Sequence, residues 1–273
     1  MRFAWKFLVS ALCILLLPFV SGGYNGCCYA QGDLYKAVTV ASGLYKLGKA
    51  YNLSDDDLAA YMADVMKQMD AQNQVASSSN QYSQRLTRIT SKLKSISGIP
   101  LNFKVYLTQE ANAFASPDGS VRVYSKLMDI MSDEELLGVI GHEIGHIACR
   151  HSRKRLKASL IASAVRDGLM LSDGNIGVLA ASCVGGLSEL LVNAKYSREQ
   201  ESEADRYGYT YLKKKGYNPY AMALALTRLQ ELQKTQNGGK SSFNITLLST
   251  HPDLDSRISV LTKKAKKDGF LRQ

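Results

Sequence analysis

Histidine, tryptophan, cysteine and proline are all sparse in this chain. Among 273 residues there are four histidines, one tryptophan, five cysteines and five prolines. No apolar run reaches the ~18 residues that suggest a membrane span. These shortages exclude a collagen-like repeat, a disulfide-dense miniprotein and a polytopic membrane protein. No repeat with a period of roughly 20–50 residues is visible. What is present, 45% hydrophobic against 21% charged residues, is a globular balance. It is long enough for one large domain or two small ones with a real core. Lys+Arg number 34 against 24 Asp+Glu, a formal net charge of +10.

Residues 1–30 read as a targeting segment. Arg2 and Lys6 give a basic start, Phe7 to Val20 is an apolar stretch of 14 residues, and small residues lead to Cys28-Tyr29-Ala30. That stretch is short for a bilayer and suits a secretory leader, so export to the bacterial periplasm or cell envelope is expected. Ala30 offers the small residue a signal peptidase needs. Gly26-Cys27 offers a competing lipoprotein site, although Tyr24 stands where that motif prefers a Leu-like residue. Cutting after Ala30 removes two cations and no acid, leaving +8, and removes Trp5. Cys149 and Cys183 then remain in an oxidising compartment; a disulfide is permitted, and sequence does not decide it.

Residues 31–84 read as an N-terminal helical segment packing on a core formed by residues 85–273. Within it, 33–66 show apolar residues at helical spacing. Gln72 to Gln84 is polar, either a loop or the outer face of a long helix. Helical pattern resumes to Ile96, where Gly98 and Pro100 end it. Phe103, Val105 and Leu107 alternate as a strand; Asn112 to Ala115, the turn Pro117-Asp118-Gly119 and Val121 to Tyr124 read as a hairpin. From Ser132 onward nearly everything reads as helix. Ile176 to Val192 is apolar but interrupted by Gly185-Gly186 and Glu189, which suggests a buried helix or a lid over a cleft.

Ser132 with Glu135 predicts a capping box at a helix start. At 100° per residue Leu136, Ile140, Ile144 and Ile147 form a buried stripe about 80° wide, with His142 and His146 together on roughly the opposite side. The string His142-Glu143-Ile144-Gly145-His146 is an HExxH. Two imidazoles one turn apart supply two ligands for Zn²⁺, and Glu143 can take a proton from a metal-activated water. His151, about 140° further round the helix, is assigned to structure or to the rim of the site. Downstream, Ser197 with Gln200 predicts a second helix start. Glu201 and Asp205 share a face there, one suited to bind metal and the other to accept an N–H from a ligand histidine, while Glu203 points elsewhere.

HExxH followed by Glu201-x-x-Ala204-Asp205 resembles the gluzincin family of HtpX-type and CAAX prenyl endopeptidase-like zinc proteases. The pattern is most like its exported BepA/LoiP-type envelope members, over about residues 85–265. The resemblance implies an α+β fold: a helix-dominated zincin-like core with a small sheet flanking the cleft. It implies one Zn²⁺ per chain, Glu201 as third ligand and Asp205 behind a ligand histidine. Asn112, Ala113, Phe114 and Ala115 resemble the edge strand that pairs with extended substrate. His251-Pro252 with Arg257 resembles a late segment whose histidine either stabilises the oxyanion or occupies the open zinc position, with Arg257 supporting the ligands.

The lysines at 213–215 and 263–267 close helices, so no nucleic-acid partner is expected. Attraction to anionic envelope lipid is the use expected of the surplus charge. Two functions follow: a zinc endopeptidase cutting extended or misfolded envelope proteins, or a chaperone-like assembly factor with a gated or latent site.

Overall fold

The computed structural model describes residues 54–170, 188–237 and 244–271. The leader, Cys27, Cys183 and most of the 176–192 stretch lie outside the described residues. The fold is α+β and dominated by helix.

Helix α1 (Asp55–Gln72) starts on a capping box, Ser54 with Asp57, and carries three aspartates in its first turn. Its stripe of Leu58, Met62, Val65, Met66 and Met69 is buried together with Tyr106, Phe114 and Tyr124 of the main sheet. Asp70 clamps the two layers, accepting from Arg122 Nε at 2.9 Å, Lys104 Nζ at 2.8 Å and Tyr106 Oη at 2.8 Å. The polar stretch after it is a loop to Asn80, which caps α2 (Gln81–Ile89).

That helix stops at Ile89, seven residues before the expected end. Thr90 caps it by donating its hydroxyl to the Leu86 carbonyl at 2.9 Å. Ser95–Ile96 (β1) and Ile99–Pro100 (β2) instead form a small antiparallel hairpin. Its two-residue turn, Ser97-Gly98, has φ of 49° and 83°, the double positive φ that matches strand twist. A serine in the first position is a weaker signal than asparagine, and Ile96 fits a strand stripe as well as a helical one.

The main sheet has the order β3-β5-β4. β3 (Asn102–Tyr106) runs parallel to β5 (Ser120–Tyr124), and β4 (Ala113–Ala115) pairs with β5 as an antiparallel hairpin. Gly119 closes that turn with φ 91°. β4 is an edge strand, as expected.

After α3 (Ser125–Ile130) comes α4 (Asp133–Ala148), opened by the expected Ser132–Glu135 capping box. Leu136, Ile140, Ile144 and Ile147 are buried as predicted, but so is the histidine face: the helix is enclosed on all sides. Glycines make this enclosure. A Cβ on Gly145 would fall 2.3 Å from the Ala204 carbonyl oxygen, and one on Gly138 would fall 2.1 Å from that of Ala221. α6 (Arg198–Lys214) and α7 (Ala221–Asn237) therefore touch α4 almost backbone to backbone. The chain reaches them through α5 (His151–Met170) and a helical stretch at 188–192. α6 ends at Gly216 (φ 75°), where Tyr217 N–H donates to Leu212 and Gly216 N–H to Lys213, so the lysine run does close a helix. α8 (Thr246–Thr250) and α9 (Leu254–Lys267) complete the fold. Among the described residues no helix is long and apolar enough to cross a membrane.

Candidate metal centre

Three elements converge where the glycine seam holds α4 against α6. α4 contributes His142, Glu143 and His146; α6 contributes Glu201 and Asp205; the α8–α9 segment contributes His251 and Arg257. All seven side chains are buried. One donor atom each from His142, His146, Glu201 and His251 lies within 4.8 Å of the other three. The Nε2 atoms of His142 and His146 are 3.0 Å apart, and His251 Nδ1 is 3.1 Å from His142 Nε2 and 3.0 Å from Glu201 Oε1. Glu201 approaches both α4 histidines at 3.4 Å. Four donors around one tetrahedral ion at 2.0–2.2 Å stand about 3.3–3.6 Å apart. The donor set therefore fits a metal ion in type, number and spacing.

The surroundings fix these groups. His142 Nδ1 meets Asp205 Oδ1 at 2.8 Å, and Arg257 holds Asp205 from behind while forming an ion pair with Glu201 Oε2. Burial opposes ionisation of both carboxylates, yet His142 and the other imidazoles hold Glu201 well below the usual carboxylate range, and Arg257 and His142 do the same for Asp205. On His142, burial and Arg257 push the pKa down, but Glu201 and Asp205 outweigh them and raise it to about 9. Glu143 is different: burial dominates and raises its pKa, and its Oε1 has no hydrogen-bond partner. His251 Nε2 stands 3.4 Å from that oxygen.

The edge strand adjoins this cluster. Ala113, Phe114 and Ala115 of β4 share a small pocket with Glu143, Tyr196 and His251, and Leu191 and Val192 also line it. Leu191 and Val192, at the end of the stretch read as a buried helix or lid, thus face the site. Asn112, just before β4, is fully buried with its Nδ2 unpartnered.

One support, Tyr196, is absent from the sequence reading, and the other, His151, is the structural residue that was one of the two roles expected of it. Tyr196 stacks on His146 with ring centroids 3.8 Å apart, and its hydroxyl meets Ser152 at 3.1 Å. His151 is not at a rim: it is buried, with Nδ1 2.9 Å from His146 Nδ1 and Nε2 3.0 Å from Glu203. The helical-wheel argument fails because Arg150 (φ 58°) breaks the helix between them. An aromatic directly before a capping box, and a third histidine beside an HExxH, were the available signals.

Residues 80–265 match Peptidase family M48. The chain belongs to this family. It is a metallopeptidase, as the paired motifs predict. Metalloprotease YcaL of Escherichia coli strain K12 is 40% identical over 235 residues, 85% of this chain and 89% of that protein. Metalloprotease LoiP of the same strain is 37% identical over 223 residues, 81% and 86% of the respective chains. A putative beta-barrel assembly-enhancing protease of Vibrio cholerae is 28% identical over 178 residues, 62% of this M48 chain but 35% of the relative.

Proposed function

We propose that this M48 peptidase is an exported zinc endopeptidase that cuts extended or misfolded proteins of the cell envelope. His142, His146 and Glu201 would hold one Zn²⁺, which when bound supplies Lewis acidity and lowers the pKa of a coordinated water to near 7. The observation that carries the reading is Glu143. A buried carboxylate with one oxygen free of hydrogen bonds, beside four converging donors and not itself among them, is suited to take a proton and return it to a leaving amine. A metal site serving structure alone has no use for such a group. Asp205, with Arg257 behind it, orients His142. β4 lies at the edge of its sheet and lines the pocket beside Glu143, which supports pairing with an extended chain. The leader at 1–30 supports export, and the +8 of the cut chain supports contact with anionic lipid. Lipid attachment through Cys27 remains a competing route to the same compartment.

A second reading, an assembly factor that binds such chains and seldom cuts, is favoured by one observation. His251 Nδ1 stands among the metal donors, where it would close the position a substrate carbonyl needs.

The test compares the protein with Glu143→Gln for cleavage of an unfolded protein, with bound zinc quantified in both. About one zinc in each, and cleavage slowed by about 10²–10⁴-fold in the variant, is expected. Zinc in both and cleavage by neither would favour the second reading. No zinc in either would end the ligand assignment.

A further inference from the structure

We propose that His151, braced by Glu203, is a positioning residue that fixes the tautomer and orientation of His146. The inference rests on reading His146 as a metal ligand. Its basis is a line of hydrogen bonds running outward from the site. His146 Nδ1 meets His151 Nδ1 at 2.9 Å, and His151 Nε2 meets Glu203 Oε2 at 3.0 Å.

A neutral imidazole has one N–H and one acceptor nitrogen, whereas an ionised carboxylate only accepts. As a ligand, His146 keeps the lone pair of Nε2 for the metal, and Glu203 Oε2 stands against His151 Nε2 at 3.0 Å. Glu203 therefore requires the proton of His151 on Nε2. His151 Nδ1 is then the acceptor, so His146 must carry its own proton on Nδ1. That leaves His146 Nε2 with a free lone pair, and Nε2 is the nitrogen that faces His142 and Glu201. The opposite arrangement would set two lone pairs, or two protons, against each other at one of these contacts. Asp205 imposes the same tautomer on His142 directly. His146 receives the equivalent instruction from the half-exposed Glu203, one imidazole removed.

The backbone is built for this. Cys149 caps α4, Arg150 takes φ 58°, and α5 starts at His151, which turns the third imidazole back toward the second. Cys149, His151 and Glu203 also form a group of potential metal donors within 4.8 Å of one another. That group is not an ion site of its own: both His151 nitrogens are engaged, and the positive charges of Lys154 and Arg206 act on it.

The experiment measures zinc affinity by competition with a chromophoric chelator, and the visible spectrum of the Co²⁺-loaded protein. It uses the parent, His151→Leu, His151→Asn and Glu203→Ala. Leu keeps bulk and removes the acceptor, so zinc affinity should fall about 10–100-fold and the Co²⁺ bands should shift. Asn places Oδ1 where the imidazole has Nδ1, and should recover most of the affinity and the parental spectrum. Glu203→Ala should weaken binding by a smaller factor with a small spectral shift. Parental affinity and spectrum in His151→Leu would overturn the proposal. Should that variant not fold, as judged by circular dichroism, parental values in Glu203→Ala would overturn it instead. A parent that binds neither metal would refute the zinc reading itself, and this inference with it.

Discussion

Arg257 grips Asp205 with two hydrogen bonds, Nε to Oδ2 at 2.7 Å and Nη2 to Oδ1 at 2.8 Å, both side chains being buried. The fork leaves Oδ1 free to meet His142 Nδ1 at 2.8 Å as well. The same guanidinium faces Glu201. One cation thus offsets two carboxylates, one at the donor cluster and one behind it.

Replacing Arg257 should therefore be severe. Arg257→Ala leaves buried carboxylates uncompensated, a loss of about 3–5 kcal/mol. Arg257→Lys keeps the charge without the fork and should lie between variant and parent. Urea unfolding measures both, and an unchanged midpoint for Arg257→Ala would contradict the role given to this residue.

Gly145→Ala tests the seam between the two motif helices. Its new Cβ must displace the Ala204 backbone, three residues after Glu201. A cost of about 1–3 kcal/mol is expected from overpacking, together with weaker zinc binding. Thermal melts and zinc titration report the two effects, and an unchanged metal affinity would separate the seam from the site.

Acid should loosen the contact between α1 and the sheet. Burial alone would raise the pKa of Asp70, but hydrogen bonds from Arg122, Lys104 and Tyr106 hold it below its ordinary 3.8. A depressed carboxylate adds stability that is fully present above 3.8 and drains away as pH falls through the folded value. Asp70→Asn should lose about 3–5 kcal/mol at pH 7, because Arg122 stays buried without its countercharge, and should show a flatter acid limb. Denaturation midpoints at pH 7 and pH 3 for both proteins decide it.

His251→Ala should raise turnover if His251 closes the open position. The measurement is the cleavage rate at saturating zinc. A fall of tenfold or more would assign the residue instead to stabilising the transition state.

Much of this was readable in advance because it depends on short-range rules. The two capping boxes, the 142/146 pair and the 201/205 pair are all local spacings, and each occurs where its spacing predicts. The hairpin of β4 and β5 carries its turn in Pro117-Asp118-Gly119. What could not be read depends on contacts between distant segments. The helical wheel placed the histidines opposite the core stripe, but not under α6, because no periodicity announces that Gly145 meets Ala204. Extrapolating one helix through Arg150 left both roles of His151 open and hid its contact with His146. The early stop at Ile89 was hidden because an isoleucine serves a helix stripe and a strand alike.

The glycine seam also has a bearing on how freely the sequence can vary. At Gly145 and Gly208 the space for a side chain is taken by backbone of the facing helix, Ala204 and Gly141 respectively. The span between His146 and Glu201 is thus gauged by main-chain atoms, whose dimensions no substitution changes. Core residues further along α4 and α6 can trade bulk among themselves while that span holds, and the tolerance ends at the glycines.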